Sequence, residues 1–378
     1  MVFSFTATAS FGLEAVVKRE ALALGLKNVS VLDGKVNFTG DFSDMAKANL
    51  WLRSADRVHL NLGSFNASTF DELFEQTKAM PWSDWIPENG RFTVIGKSVR
   101  SQLHSVPACQ SIVKKAIAEN LKAKYKIEWL QEDGPEYKIQ AALLKDEATF
   151  TLDTSGQGLH KRGYREQAMS APLRETAAAA LISLTYWRKG RIFLDPVCGS
   201  GTLPIEAALI AKNIAPGLYR SFAAEQWPQV DRKIWTHARH EAYAAIDADF
   251  KPEIYGSDID PEAIELAKAN SAKAGVGGVI IFDAKALEDV RLPGSYGVAV
   301  CNPPYGERLG TVSEVTKLYA QMKSLFSADD TWSLNVLTAD EFFEEAYGRK
   351  ADAKRKLFSG MIKTDYYQYH GQRPPKKP

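Results

Sequence analysis

The sequence predicts an α/β protein: a mostly parallel sheet in the C-terminal half, preceded by smaller α+β regions. Two patterns predict it. From Ile192 onward short apolar runs alternate with helical periodicity, the rhythm of strands joined by crossover helices. From Phe3 to Gly63 the order is instead strand, helix, strand, strand, helix, strand, with Asp33-Gly34 as a hairpin turn in the middle.

A chain of 378 residues has room for two or three domains. Hydrophobic residues at 45% and charged residues at 25% are ordinary globular values. There is no long apolar run and no basic, apolar, small-residue leader pattern, so a soluble, unexported protein without a membrane partner is expected. Cys109, Cys198 and Cys301 have no metal-ligand spacing and read as free thiols of a reducing compartment, the cytoplasm, with no metal expected. The net charge of +1 hides an uneven distribution: −3 over residues 1–90, +5 over 91–165 and −1 over 166–378. Phosphate contacts need such local excess on one face, not a high overall pI.

In chain order, residues 3–8 alternate with period two, and Leu13, Val16, Val17, Ala21 and Leu24 fall at helical spacing up to Gly25. Strands over 29–32 and 35–38, a helix over 45–53 and a strand over 57–62 complete a small α+β unit with no catalytic constellation. A helix over 70–79 and a strand over 91–95 lead into a loop holding Lys97, Arg100 and His104 among hydroxyls. The next helix, 109–125, carries Lys114, and strands follow over 127–130, 137–143 and 148–152. Cations, hydroxyls and helix N-terminal amides are the usual phosphate ligands, which makes Lys97, Arg100, His104 and Lys114 candidates for binding RNA. Residues 155–165 are glycine-rich and basic, a hinge in which Lys161, Arg162 and Arg165 are further RNA candidates. A helix is expected over 176–187.

The chemistry gathers at strand ends. Strands are expected over 192–194, 254–257, 278–282, 297–301 and 333–337, then a hairpin of 356–358 with 361–370. After the first comes Asp195-Pro-Val-Cys198-Gly199-Ser-Gly201-Thr202, whose glycines let the backbone approach a ligand and leave helix N-terminal N–H groups free. Gly-Lys-Ser/Thr is absent, which argues against a triphosphate loop. The second ends at Asp258-Ile259-Asp260, a carboxylate placed for ribose hydroxyls, and the third at Asp283-Ala284, placed for an adenine amino group. The fourth stops at Asn302-Pro303-Pro304-Tyr305. Consecutive prolines drive the chain out of the sheet in a set direction. The Asn302 amide oxygen and the Pro303 carbonyl then offer two acceptors for a planar NH2, with the Tyr305 ring available to stack. Four polar features on the carboxyl edge of one α/β sheet point to a nucleoside-containing cofactor.

These motifs, in this order, resemble the class I S-adenosylmethionine-dependent methyltransferases that act on amino groups. With His160-Lys-Arg-Gly-Tyr164, Pro172-Leu-Arg-Glu175 and the basic loop upstream, nearly the whole chain resembles the THUMP-containing 23S ribosomal RNA guanine-N2 methyltransferases. The resemblance implies a ferredoxin-like region at 1–64, a THUMP RNA-binding region at 65–155, a linker at 156–164 and a Rossmann-like methyltransferase domain at 165–378 with a seven-stranded sheet and terminal hairpin. It implies S-adenosyl-L-methionine held by Asp195, Cys198, Gly199, Gly201, Thr202, Asp258, Ile259, Asp283, Ala284 and Asn302. Catalysis falls on Asn302, Pro303, Pro304 and Tyr305, and the partner is 23S RNA or a large-subunit assembly intermediate. The likeness is to the short form of the family, so no second modification is expected. The same loop chemistry serves adenine N6, and transfer RNA is the nearest rival substrate, so base and RNA rest on the resemblance.

Overall fold

The structure is a computed structural model describing residues 1–165, 173–304, 312–359 and 362–375. The first half contains β1 (Phe3–Ala9), α1 (Glu14–Ala23), β2 (Lys27–Leu32), β3 (Lys35–Gly40), α2 (Phe42–Trp51), β4 (Ala55–Asn66), α3 (Phe70–Ala79), β5 (Arg91–Val99), α4 (Val106–Tyr125), β6 (Glu136–Leu144) and β7 (Glu147–Asp153). Asp33-Gly34 does turn the β2–β3 hairpin, with Gly34 at φ +70°. Thr69 and Glu72 close a capping box at the start of α3. The seven strands form one sheet, ordered β2-β3-β1-β4-β7-β6-β5. β4 is twelve residues long and pairs with β1 on one side and β7 on the other, so the ferredoxin-like and THUMP regions share a continuous sheet.

One expected strand is not formed. Over 127–130 the chain is irregular: Lys126 takes a left-handed conformation, and the Ile127 N–H closes back on the Lys122 carbonyl at 3.2 Å to cap α4. Leu130 packs against the core while Trp129 points outward, 78% exposed. The expected helix over 176–187 stops at Ser183, where the Thr185 hydroxyl donates to the Ile182 carbonyl.

The second half contains α5 (Glu175–Ser183), β8 (Phe193–Asp195), α6 (Thr202–Ala211), α7 (Arg232–Ala244), β9 (Ile254–Asp258), α8 (Pro261–Lys273), β10 (Ile280–Ala284), β11 (Val298–Cys301), α9 (Val312–Ser327), β12 (Ser333–Thr338), α10 (Phe343–Tyr347), β13 (Ala353–Ser359) and β14 (Ile362–Tyr369). Its sheet runs β10-β9-β8-β11-β12-β14-β13. The first five strands are parallel, and the terminal hairpin adds antiparallel to β12. Both faces are covered. Val298 and Val300 of β11 enter one core and Ala299 and Cys301 the other, the alternation of a strand buried on both sides. Among the described residues no helix is long and apolar enough to cross a membrane, and no group of three His, Cys, Asp or Glu could hold a metal ion.

The halves are welded together. α7 packs on α2, Trp227 stacks on Tyr137 with ring centroids 5.1 Å apart, and Leu13 and Val16 of the first half enter a core of the second. A buried ionic cluster completes the join. Arg162, 4% exposed, pairs at 3.4 Å with Glu206 of α6, which is fully buried, and donates to the carbonyls of Leu159 and Arg53. The Tyr164 hydroxyl also donates to Glu206, at 3.2 Å. Arg162 was expected to meet RNA; its guanidinium is instead enclosed by internal acceptors, which corrects that reading. Removing one member of such a pair strands a buried charge. Arg162→Met is therefore expected to lower the unfolding free energy by about 3–5 kcal/mol, read in urea unfolding curves, with Arg162→Met/Glu206→Leu recovering part of the loss.

Candidate active site

Strand order reverses between β8 and β11, so a crevice opens at their carboxyl ends. Asp195 ends β8, Asp258 ends β9 and Asn302 follows β11. They meet in a cavity of about 250 Å³ whose wall also includes Cys198, Gly199, Thr202, Asp260 and Pro304.

The two loop glycines do different jobs. Gly199 has φ +51°, and a Cβ there would meet nothing within 4 Å, so its open side is room for a ligand. Gly201, at φ +81°, is absent from the wall. A Cβ on it would lie 2.9 Å from the Ala267 Cβ and 3.1 Å from the Phe282 ring, so this glycine permits packing of α6 on α8 and β10. Expected as a cofactor contact, it shapes the site from behind.

Asp258 is aimed by the backbone: one oxygen accepts from the Gly199 N–H at 2.8 Å and the other from the Asp260 N–H at 3.1 Å. Asp195 is 2% exposed and accepts, among the described residues, from the Val197 N–H at 3.2 Å. Burial pushes its carboxyl well above the usual carboxylate range, against the pull of that N–H and with the Asp258 charge adding to the rise. Burial likewise raises the Cys198 thiol, with Asp195 and Asp258 contributing.

Arg165 also departs from expectation. Its guanidinium is buried, pairs with Glu175 at 3.5 Å and donates to the Thr202 hydroxyl at the start of α6. It braces the start of α6, and its guanidinium is taken up by internal partners, which corrects its reading as an RNA ligand. Asp283 and Ala284 lie on the same sheet edge, in register with Ser257 and Asp258, but outside the wall. Asp283 pairs with Lys285 at 2.8 Å, and Ile259 is 75% exposed.

Asn302, expected from the sequence to be catalytic, lines the same cavity. Its Oδ1 is buried and has no hydrogen-bond partner among the described residues. Pro303 is buried and Pro304 half-buried behind it, while Tyr305 lies outside the described residues. Lys97, Arg100, His104 and Lys114 are all exposed along β5, its following loop and α4, and Lys161 is exposed in the hinge. Sequence reasoning missed the apolar wall, Leu173 and Ala263, which carry no motif. Asp260 caps α8, accepting from the Glu262 N–H at 2.9 Å, and lines the cavity as well.

Family models match three segments: the RlmL ferredoxin-like domain at residues 4–59, the THUMP domain at 67–153, and the RMKL-like methyltransferase domain at 162–368. The chain belongs to the RMKL-like methyltransferase family. YpsC of Bacillus subtilis (strain 168), named "Putative RNA methyltransferase", is 52% identical over 99% of this chain and 98% of its own. A Listeria monocytogenes str. 4b F2365 crystal structure, described as a "predicted N6-adenine-specific DNA methylase", is 51% identical, covers 98% of this chain and 97% of its own, and superposes with a TM-score of 0.94. SMU.472, a "putative methyltransferase complexed with SAH", is 45% identical over 99% of both chains, with a TM-score of 0.93.

Two outcomes follow for this methyltransferase. Gly201→Ala adds a clash to backbone strain whereas Gly199→Ala adds strain alone, about 1–2 kcal/mol; calorimetry is expected to show the larger fall in melting temperature for Gly201→Ala. Because burial raises all three thiols, the thiolate fraction at pH 8 is small. Iodoacetamide is expected to leave Cys109, Cys198 and Cys301 unmodified in folded protein and to alkylate them after denaturation, as read by mass spectrometry.

Proposed function

We propose that this protein transfers the methyl group of S-adenosylmethionine to the exocyclic N2 of a guanine in 23S ribosomal RNA. The observation that carries the reading is the unpartnered Asn302 oxygen. A buried acceptor without a donor costs about 1–3 kcal/mol, which an incoming N–H would relieve. The residues present suit the cofactor: Asp258 is aimed for ribose hydroxyls, Gly199 leaves space for close approach, and Asp195, Cys198 and Thr202 wall the same cavity. When bound, the cofactor supplies an electrophilic methyl group on a sulfonium sulfur.

The rest falls to this chain. An unstacked guanine enters with its amino group toward Asn302. The Asn302 amide oxygen accepts one N–H and the Pro303 carbonyl the other, drawing the nitrogen lone pair out of conjugation and fixing its direction. Proline has no N–H and a fixed φ, so the second acceptor moves little. The methylated nitrogen, cationic at first, then loses one proton to water. Positioning and preorganised dipoles suffice for this step.

The THUMP match supports an RNA substrate, as does the name of the B. subtilis relative. The choice of guanine and of 23S RNA rests on the motif resemblance. The name of the Listeria relative favours adenine N6 on DNA, and two acceptors hold either planar amine equally well. The deciding experiment offers methyl-labelled cofactor with 23S RNA, transfer RNA or DNA, followed by nucleoside digestion. Label in N2-methylguanosine from 23S RNA is expected. Label in N6-methyladenine overturns the base, label confined to transfer RNA overturns the substrate, and no label with any of them leaves a non-catalytic RNA-binding factor. Asn302→Ala is expected to lower kcat, measured at saturating cofactor, by about 100–1,000-fold.

A further inference from the structure

A cleft of about 1080 Å³ lies between the first half of the molecule and the methyltransferase domain. It exceeds the roughly 300–1,000 Å³ usual for small-molecule sites. Its wall is cationic. Arg91 and Lys138 enter from β5 and β6, Lys161 from the hinge and Arg174 from the start of α5. None of the four makes an ion pair within 4.0 Å or a side-chain hydrogen bond among the described residues. Against them stand Glu136, which is exposed, and Glu175, already paired with Arg165.

The cleft is preformed. Arg220 donates to the carbonyls of Ser155, Gln157, Gly158 and Lys161 and so pins the hinge from one side, while Arg162 is anchored to Glu206 from the other. The cleft also adjoins the methyl-transfer cavity: Leu173 lines the cavity and its neighbour Arg174 the cleft, and Arg165 of the cleft donates to Thr202 of the cavity. The exposed loop after β5 is less well placed, because β5 runs about 26 Å (eight residues at roughly 3.3 Å each) away from Arg91 before that loop begins.

Resting on the function proposed above, we infer that the RNA strand flanking the target base runs through this cleft, its phosphates held by Arg91, Lys138, Lys161 and Arg174. Four cations around an open groove, none ion-paired within 4.0 Å among the described residues though Arg174 also acts on the Asp56 carboxyl, are the arrangement that tracks a single-stranded backbone. His160 lies in the same wall and reports the field there: burial, then the charges of Arg174, Lys161, Arg162 and Arg57, hold its imidazole down to about 4. A bound polyanion would offset those charges and raise it.

The test compares, in the full chain, Arg91→Glu/Lys138→Glu/Arg174→Glu with Lys18→Glu/Lys27→Glu/Lys47→Glu, an equal charge reversal on exposed lysines elsewhere. Steady-state kinetics on 23S RNA are expected to show at least a tenfold rise in KM for the cleft variant. The slope of log affinity against log salt should become shallower by about 2, at roughly 0.7 per lost phosphate contact, with kcat at saturating RNA and cofactor affinity within about threefold. The control variant is expected to keep its KM within threefold, and RNA is expected to raise the His160 titration midpoint seen by NMR. Unchanged KM and slope in the cleft variant, or an equal effect in the control, would overturn the inference. If charge reversal unfolds the protein, the Gln variants at the same positions give the same comparison. Failure of the function itself reads differently: wild type then methylates no RNA. Fluorescence anisotropy of a labelled 23S fragment on the same variants still decides the cleft, where equal affinity of cleft and control variants refutes it.

Discussion

A single buried carboxylate, Glu206, holds the functional geometry together. Placed on α6 without solvent, it requires a cation and hydrogen-bond donors, and it takes them from Arg162 and Tyr164 of the hinge. Arg162 reaches on to the Arg53 carbonyl, and Arg53 to the Ile214 carbonyl. Burial lowers Arg53 only to about 10, so it remains charged at neutral pH. One polar cluster thus ties the first module, the hinge and the helix that follows the glycine loop. The cavity at the N-terminus of α6 and the cleft along the hinge both inherit their shape from it.

The site shows a division of labour among residues that look alike in sequence. Gly199 leaves space and Gly201 removes it; Asp258 is aimed by two backbone N–H groups, while Asp195 is buried with one. Among the described residues of the cavity wall, Asn302 Oδ1 is a buried acceptor without a hydrogen-bond partner. Other buried polar atoms, such as Asn120 Oδ1 and Ser257 Oγ, also lack partners among the described residues; Asn302 differs in lining the cavity, where the proposed function would seat a substrate N–H.

Much of this was legible in the sequence because its causes are local. Period-two and helical patterns, Asp33-Gly34, and Asp260-Pro261 with Gly275 beyond the helix all act over a few residues, and the structure uses each. The polar strand ends could be grouped because right-handed crossovers bring the carboxyl ends of successive parallel strands to one edge. What escaped depends on distant partners. The β4–β7 pairing that fuses the first two regions is long-range. Arg162 looks like a solvated linker charge until Glu206, 44 residues on, is folded against it. Arg91, Lys138 and Arg174 carry no motif, and only the fold gathers them. The apolar run at 127–130 resembled a strand, but the left-handed Lys126 turned it into a cap and a loop.

The central claim is that Asn302 recognises an exocyclic amine. It is tested most directly by a crystal structure of the protein with S-adenosylhomocysteine and a short guanine-containing fragment of 23S RNA. The account predicts the guanine N2 at hydrogen-bond distance from Asn302 Oδ1, about 2.7–3.2 Å, with the Pro303 carbonyl as its second acceptor. A base seated in the cavity with its amino group turned away, and Asn302 Oδ1 bonded to water or protein, would contradict it.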